Sequence, residues 1–386
     1  MKLNILLIDD NENISSQIKQ LLITIKIEGE FFYCKNGNDA LSIMEQHYVN
    51  IVISDIQSQQ IDGEELLDII KNKYPSTIRI ALYEEDNEMD LLLKTIVSAH
   101  KYISKPIKPE KFRTLILDAK QLYDILENEN LRSIINKIDK FPLLPQTYLD
   151  IEEEIKKDDF SLQRISKIVQ SDIIITTRIL QVINSPFFGL PQDVTDIGQA
   201  VNLLGITMIK SLILYVQIFS SYEGNMRVEK LHREIWDHSL KVASNAKLIV
   251  SNLGVKTETE TAYVTGLLHD IGKIIVINNE DYIYEILELM KLKNIEYNDA
   301  EKEVLGTTHA EIGAYLLSLW GLPKIIIDSV LNHHNVSKYN TDKIDIQASV
   351  YLGNICANKT EIDSELLIDN GFENISSEVF ALCSSN

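Results

Sequence analysis

The sequence predicts an α/β unit built on a doubly wound parallel sheet, followed by an all-α unit. Short apolar runs alternate with amphipathic segments over roughly the first 125 residues, and from there long apolar helical periods run to the end. At 386 residues the chain also exceeds the size at which a single hydrophobic core keeps growing, so two domains are expected.

Taken in order, NILLI (4–8), IVIS (51–54), IRIAL (78–82) and KYIS (101–104) read as buried strands. Amphipathic segments near 13–25, 38–47, 63–72, 87–98 and 109–125 read as the helices between and after them, which places helices on both faces of a parallel sheet. AKQLYDILENENLRSIINKI (119–138) is a polar helical pattern that either joins two domains or pairs in a homodimer. The Pro-punctuated FPLLPQ (141–146) opens the helical part, which is interrupted at NSPFFGLPQD (184–193), EGN (223–225) and WGLP (320–323). NSPFFGLP reads as a helix break with a packed aromatic pair, and Trp236 and Trp320 as core anchors. The expected boundaries are 1–124, a connecting helix at 125–138, and a helical domain at 139–386.

Composition narrows the function. A hydrophobic content of 45% and a charged content of 24% are those of a soluble globular protein. A formal charge of -20 argues against DNA as a partner, because nucleic-acid affinity rests on clustered Lys and Arg. Cys34, Cys356 and Cys383 are far apart with no C-x-x-C pair and read as reduced thiols. The opening MKLNILLIDD is not a signal peptide, and no run approaches the roughly 20 apolar residues of a membrane span. The expectation is a cytoplasmic protein without a membrane partner.

The first chemical constellation is acidic. Asp9 and Asp10 follow the first strand and Asp55 closes the run at 51–54, so all three converge at the carboxyl edge of the sheet, where open parallel sheets bind ligands. Carboxylates so close repel unless a cation sits among them, and Mg²⁺ is the natural occupant. Lys105, ahead of Pro106, supplies a positive charge for a phosphoryl group.

LLIDD, VISD, IDGEEL and YISKP together resemble the receiver domain of a two-component response regulator, with the five-stranded, flavodoxin-like sheet of that family. The resemblance implies that Asp55 accepts a phosphoryl group from a sensor histidine kinase, that Asp9 and Asp10 hold Mg²⁺, and that Lys105 contacts the phosphate. Two positions depart from the family pattern: Tyr83 stands where Ser or Thr is usual, and Gln59 where a proline is usual. Tyr102 is either the aromatic that changes rotamer or a packed strand residue.

The second constellation is a set of histidines. His238, His269, His309, His333 and His334 are five of the eight, each at a helical position beside apolar residues, and Asp270 adjoins His269 in GLLHDIGK. Helices of a bundle can aim such side chains at one centre, and a mixed imidazole and carboxylate shell suits one or two ions of Fe, Mn or Zn. Such ions bring the pKa of bound water towards about 7. Lys273 lies three residues after Asp270, where it either steadies a phosphate oxygen or neutralises the acid. Asp270 and Lys273 are the candidate catalytic groups.

FPLLPQT, ISKIVQSDIIITTRILQVINSPFFGLP, IGQAVNLLGITMIKSLIL, GLLHDIGK, HAEIGAYLLSLWGLP and NHH resemble the HDOD branch of the HD superfamily of metal-dependent phosphohydrolases, over about residues 135–360. The resemblance implies metal ligation by His238, His269 and Asp270, and by His309, His333 and His334 as in binuclear members. It also implies a regulatory role through an unknown downstream protein, with metal-dependent hydrolysis as the alternative. Asn354 stands where the superfamily usually has the last Asp ligand. After His334 the segment NVSKYNTDK lacks the Gly-Tyr-Pro signature of the cyclic di-GMP phosphodiesterases.

Overall fold

The computed structural model describes residues 3–56, 63–84, 98–126, 128–137, 145–157, 159–184, 194–220, 226–254, 258–335, 344–358 and 379, and statements of absence below refer to these. Gln59, nearly all of the segment 87–98, residues 141–144, 185–193, 223–225 and 336–343, and Cys383 lie outside them. The chain divides into two compact units, Met1–Lys137 and Ile138–Asn386.

The first unit is a five-stranded parallel sheet: β1 (Ile5–Ile8), β2 (Phe31–Cys34), β3 (Ile51–Asp55), β4 (Ile78–Glu84) and β5 (Lys101–Lys105), in the order β2-β1-β3-β4-β5. β1 and β3 are buried at every position, which is why they read as unbroken apolar runs. β2 was not read from sequence. It is an edge strand of four residues, FFYC, of which only Cys34 is buried. Helices α1 (Glu12–Thr24), α2 (Gly37–Gln46), α3 (Gly63–Lys73) and α4 (Pro109–Ile125) flank the sheet. Asn11 and Asn36 start α1 and α2 by accepting the backbone N–H groups of Asn13 and Asp39. α2 and α3 cover one face through Leu6, Ile8, Val52, Ala40, Met44, Leu66 and Ile70, and α1 packs with α4.

Residues 119–138 are not one connecting helix. α4 ends at Ile125, and α5 (Glu129–Lys137) is restarted by Asn128, whose side-chain oxygen accepts from the N–H groups of Asn130 and Leu131.

The second unit is all-α among the described residues: α6 (Gln146–Ile155), α7 (Leu162–Gln170), α8 (Ile173–Ile183), α9 (Ile197–Ser220), α10 (Met226–Leu253), α11 (Thr259–Leu268), α12 (Ile271–Ile277), α13 (Glu280–Lys293), α14 (Tyr297–Leu305), α15 (His309–Leu319), α16 (Lys324–Asn332) and α17 (Ile346–Ala357). The long α10 packs against α11 and α17, α12 against α15, and α15 against α16.

Two expectations are corrected here. Ile197–Val216 within α9 is long and apolar enough to cross a membrane, contrary to the reading that no run reaches that length. The backbone leaves helical geometry at Gly205 (φ 74°), half of the run is buried, and α9 packs against α7 and α8, as an interrupted core helix does. Cys356 is disulfide-bonded, not reduced, while Cys34 is free and buried. Wide sequence spacing says nothing about which thiols meet in space.

Candidate functional sites: a carboxylate cup and a histidine centre

The parallel register carries Asp55, Glu84 and Lys105 to one edge of the first sheet, Glu84 and Lys105 as direct partners across β4 and β5. Asp9 and Asp55 are buried and Asp10 is exposed, and their carboxylate oxygens cluster within 4.8 Å. The Lys105 ammonium sits 2.9 Å from Asp9 Oδ2, 2.8 Å from Asp55 Oδ2 and 3.8 Å from Glu84 Oε1. The Asn11 N–H donates to Asp9 Oδ1 at 2.8 Å. Burial raises the Asp9 pKa despite that bond and the lysine. Burial works against the Lys105 ammonium, but its hydrogen bonds to Asp55 and Asp9 outweigh this and raise its pKa. Tyr83 lies on β4 one position beyond Leu82, the partner of Asp55, and Tyr102 on β5 opposite Ala81.

In the second unit five segments supply one centre. His238 lies in mid-α10, His269 and Asp270 form the junction between α11 and α12, His309 opens α15, His333 and His334 follow α16, and Asn354 sits on α17. The sequence placed His269 and Asp270 inside one apolar helix. The junction instead turns both side chains inward, with His269 0% and Asp270 1% exposed. The two glycines of GLLHDIGK make the approach of neighbouring helices possible. A Cβ on Gly266 would stand 2.8 Å from the Ala243 Cα of α10, and one on Gly272 would stand 2.0 Å from the His309 carbonyl oxygen. The motif therefore brings α10 and α15 to its own histidine and aspartate.

Asp270 divides the centre. Its Oδ2 lies 3.6 Å from His238 Nε2, 3.3 Å from His269 Nε2 and 2.7 Å from the Lys273 ammonium. Its Oδ1 lies 3.2 Å from His309 Nε2 and 3.5 Å from His333 Nε2. His334 Nε2 completes that side at 3.0 Å from His309 Nε2. His238, His269 and Asp270 form one potential cation site, and Asp270, His309, His333 and His334 another.

The tautomers are fixed from behind. His269 Nδ1 donates to the Gly266 carbonyl at 2.8 Å, His333 Nδ1 to the Val330 carbonyl at 2.6 Å, and His309 Nδ1 to Glu301 Oε2 at 2.6 Å. Neutral rings so held turn unprotonated Nε2 atoms inward. His309 Nε2 and His333 Nε2 then face each other at 3.3 Å, beside Asp270 Oδ1, an arrangement of lone pairs that repels unless a cation or a proton lies between. His269 Nε2 and Asp270 Oδ1 are buried without a hydrogen-bond partner.

Electrostatics agree with the geometry. Burial lowers the pKa of His238, His269 and His334, and that of His333 to about 4. Burial opposes charge on His309 too, yet Glu301 outweighs it and raises the pKa. Burial also opposes the Asp270 carboxylate, but His269 and Lys273 outweigh it and hold its pKa well below the usual range. The donor set and the orphaned atoms thus fit a metal ion. Asn354 is buried on α17, at the position of the expected last ligand. Sequence reasoning missed Glu301, since a glutamate eight residues ahead of a histidine on a different helix has no local signature.

A five-stranded sheet with a lysine-bridged carboxylate cup, joined in one chain to a helical unit around a histidine–aspartate centre, defines a receiver domain followed by an HD-related domain. The response regulator receiver domain matches residues 5–117 and the HDOD domain matches residues 141–336. The chain belongs to the HDOD family and carries an N-terminal receiver domain.

It is 26% identical over 208 residues to an uncharacterized protein of Treponema pallidum, covering 53% of this chain and 39% of that protein. It is 31% identical over 172 residues to a Rickettsia felis protein provisionally named an NtrX-like response regulator, covering 42% of this chain and 35% of that one. The chain thus spans well under half the length of these curated relatives. A solved Shewanella amazonensis protein, provisionally named a phosphohydrolase, has the same helical fold at 19% identity and a TM-score of 0.50, covering 66% of this chain and 92% of its own.

Proposed function

We propose that this chain is a two-component response regulator: a sensor histidine kinase phosphorylates Asp55, and the HDOD unit, holding a metal ion, passes the signal to a downstream protein by contact. The observation that carries the phosphorylation reading is the seat of Lys105, within 3 Å of both Asp9 and Asp55. An Asp55 oxygen bonds to phosphorus, the N–P bond of the phosphohistidine donor breaks, and the imidazole leaves with that electron pair. Lys105 then exchanges its contact with the Asp55 carboxylate for one with a phosphoryl oxygen. Asp9, Asp10 and Asp55 would hold Mg²⁺, which would neutralise charge on the transferred group. Labelled phosphotransfer from a kinase or a small phosphodonor is expected to modify the wild-type chain and to be lost in Asp55→Asn. Unchanged labelling of that variant would contradict the assignment.

One observation favours hydrolysis as a second reading: the two oxygens of Asp270 face two separate sets of imidazoles, as in a site for two ions of Fe, Mn or Zn. Such ions would supply hydroxide near neutral pH, and Lys273 lies close enough to meet a phosphate oxygen. Asn354, an uncharged amide at the last ligand position, favours the regulatory role instead. Turnover of nucleotides or cyclic dinucleotides by wild type and its loss in Asp270→Ala would establish hydrolysis, whereas equal background rates would dismiss it.

A further inference from the structure

Glu301 is fully buried on α14, and one of its oxygens grips the same residue twice: Oε2 accepts from the His309 backbone N–H at 2.7 Å and from His309 Nδ1 at 2.6 Å. The first contact satisfies a donor that has no partner within its own helix, because His309 is the opening residue of α15. The second fixes the ring, so that His309 Nε2 is presented to Asp270 Oδ1, His333 Nε2 and His334 Nε2 together. The approach between the two helices is itself braced. α14 closes at Gly306 with φ 68°, and Glu311 Oε2 accepts from Thr307 Oγ1 at 2.8 Å and the Thr308 N–H at 2.9 Å. His309 is thus held from its backbone, its outer ring nitrogen and its helix cap.

We propose that Glu301 is a positioning residue of the metal centre, acting on the ion through His309 by fixing the orientation of the imidazole and enriching its Nε2 in electron density. The inference rests on the metal reading above. Carboxylates behind a metal-ligating histidine typically contribute 10–100-fold in metal affinity.

The test is Co²⁺ titration of the full chain, followed by visible absorption and chelator competition, for wild type and Glu301→Gln. Glutamine keeps the volume and an acceptor oxygen for both N–H groups, so it rescues a role confined to folding. Expected are an unfolding midpoint in chelator close to wild type, a Co²⁺ affinity weakened roughly 10–100-fold, and a shifted absorption envelope. Unchanged affinity and spectrum in Glu301→Gln would overturn the inference alone. A wild-type chain that takes up no Co²⁺ would overturn the metal reading and this inference with it. Should Glu301→Gln not fold, long-range ¹H–¹⁵N spectra of wild type decide: a proton on His309 Nδ1 at every pH studied is expected, and a bare Nδ1 overturns the proposal.

Discussion

At the scale of the residue, the histidine centre is a set of opposed titrations. His238, His269, His333 and His334 have folded pKa values below the unfolded value near 6.5, because burial penalises the imidazolium. Each contributes stability that is present above about pH 6.5 and lost as pH falls towards the folded value, about 4 for His333. His309 has the opposite sign: its raised folded pKa gives stability that is present at low pH and lost as pH rises through it. Four groups oppose one, so the metal-free helical unit is expected to weaken between pH 7.5 and pH 5. Urea midpoints measured in chelator at both values test this, and an equal or higher midpoint at pH 5 would contradict it. The residues themselves were legible, since His238, the His269–Asp270 pair, His309, His333 and His334, singled out through the family resemblance, lie close together. Glu301 was not legible, because its role depends on a turn at Gly306 that folds α14 back onto the start of α15.

At the scale of the element, burial decided what could be read. β1, β3 and β4 are core strands and announce themselves as apolar runs, whereas β2 is a four-residue edge strand, FFYC, with three half-buried residues. Helix continuity was overestimated at two junctions, at Asn128 and at His269–Asp270, because apolar or helical periodicity continues through a break that capping or packing imposes. The glycines of GLLHDIGK were visible as residues, but their purpose lies in helices distant in sequence. Gly272 lets α12 touch α15 where a Cβ would meet the His309 carbonyl oxygen at 2.0 Å and the Gly313 nitrogen at 2.7 Å. Overpacking of this kind costs about 1–3 kcal/mol. Gly272→Ala is therefore expected to lower the unfolding free energy from denaturant titration by that amount, and a change within about 0.5 kcal/mol, as for an ordinary surface site, would contradict the packing account.

At the scale of the whole molecule, the chain places two centres of convergent anionic or lone-pair groups in separate folding units. In the receiver, Lys105 supplies one positive charge to three carboxylates. In the HDOD unit, Lys273 pairs with Asp270 Oδ2 at 2.7 Å, and the Nε2 atoms of His309 and His333 face one another. The division into an α/β and an all-α unit was legible because it follows from a change in hydrophobic period. The disulfide at Cys356 was not, since it depends on a meeting in space that spacing does not encode. The central claim is that the buried histidine cluster is a metal centre despite the amide at Asn354. Elemental analysis of the full chain purified without added ions tests it most directly. One or two ions of Fe, Mn or Zn per chain, lost in Asp270→Ala, are predicted; wild-type protein carrying no more metal than that variant would contradict the account.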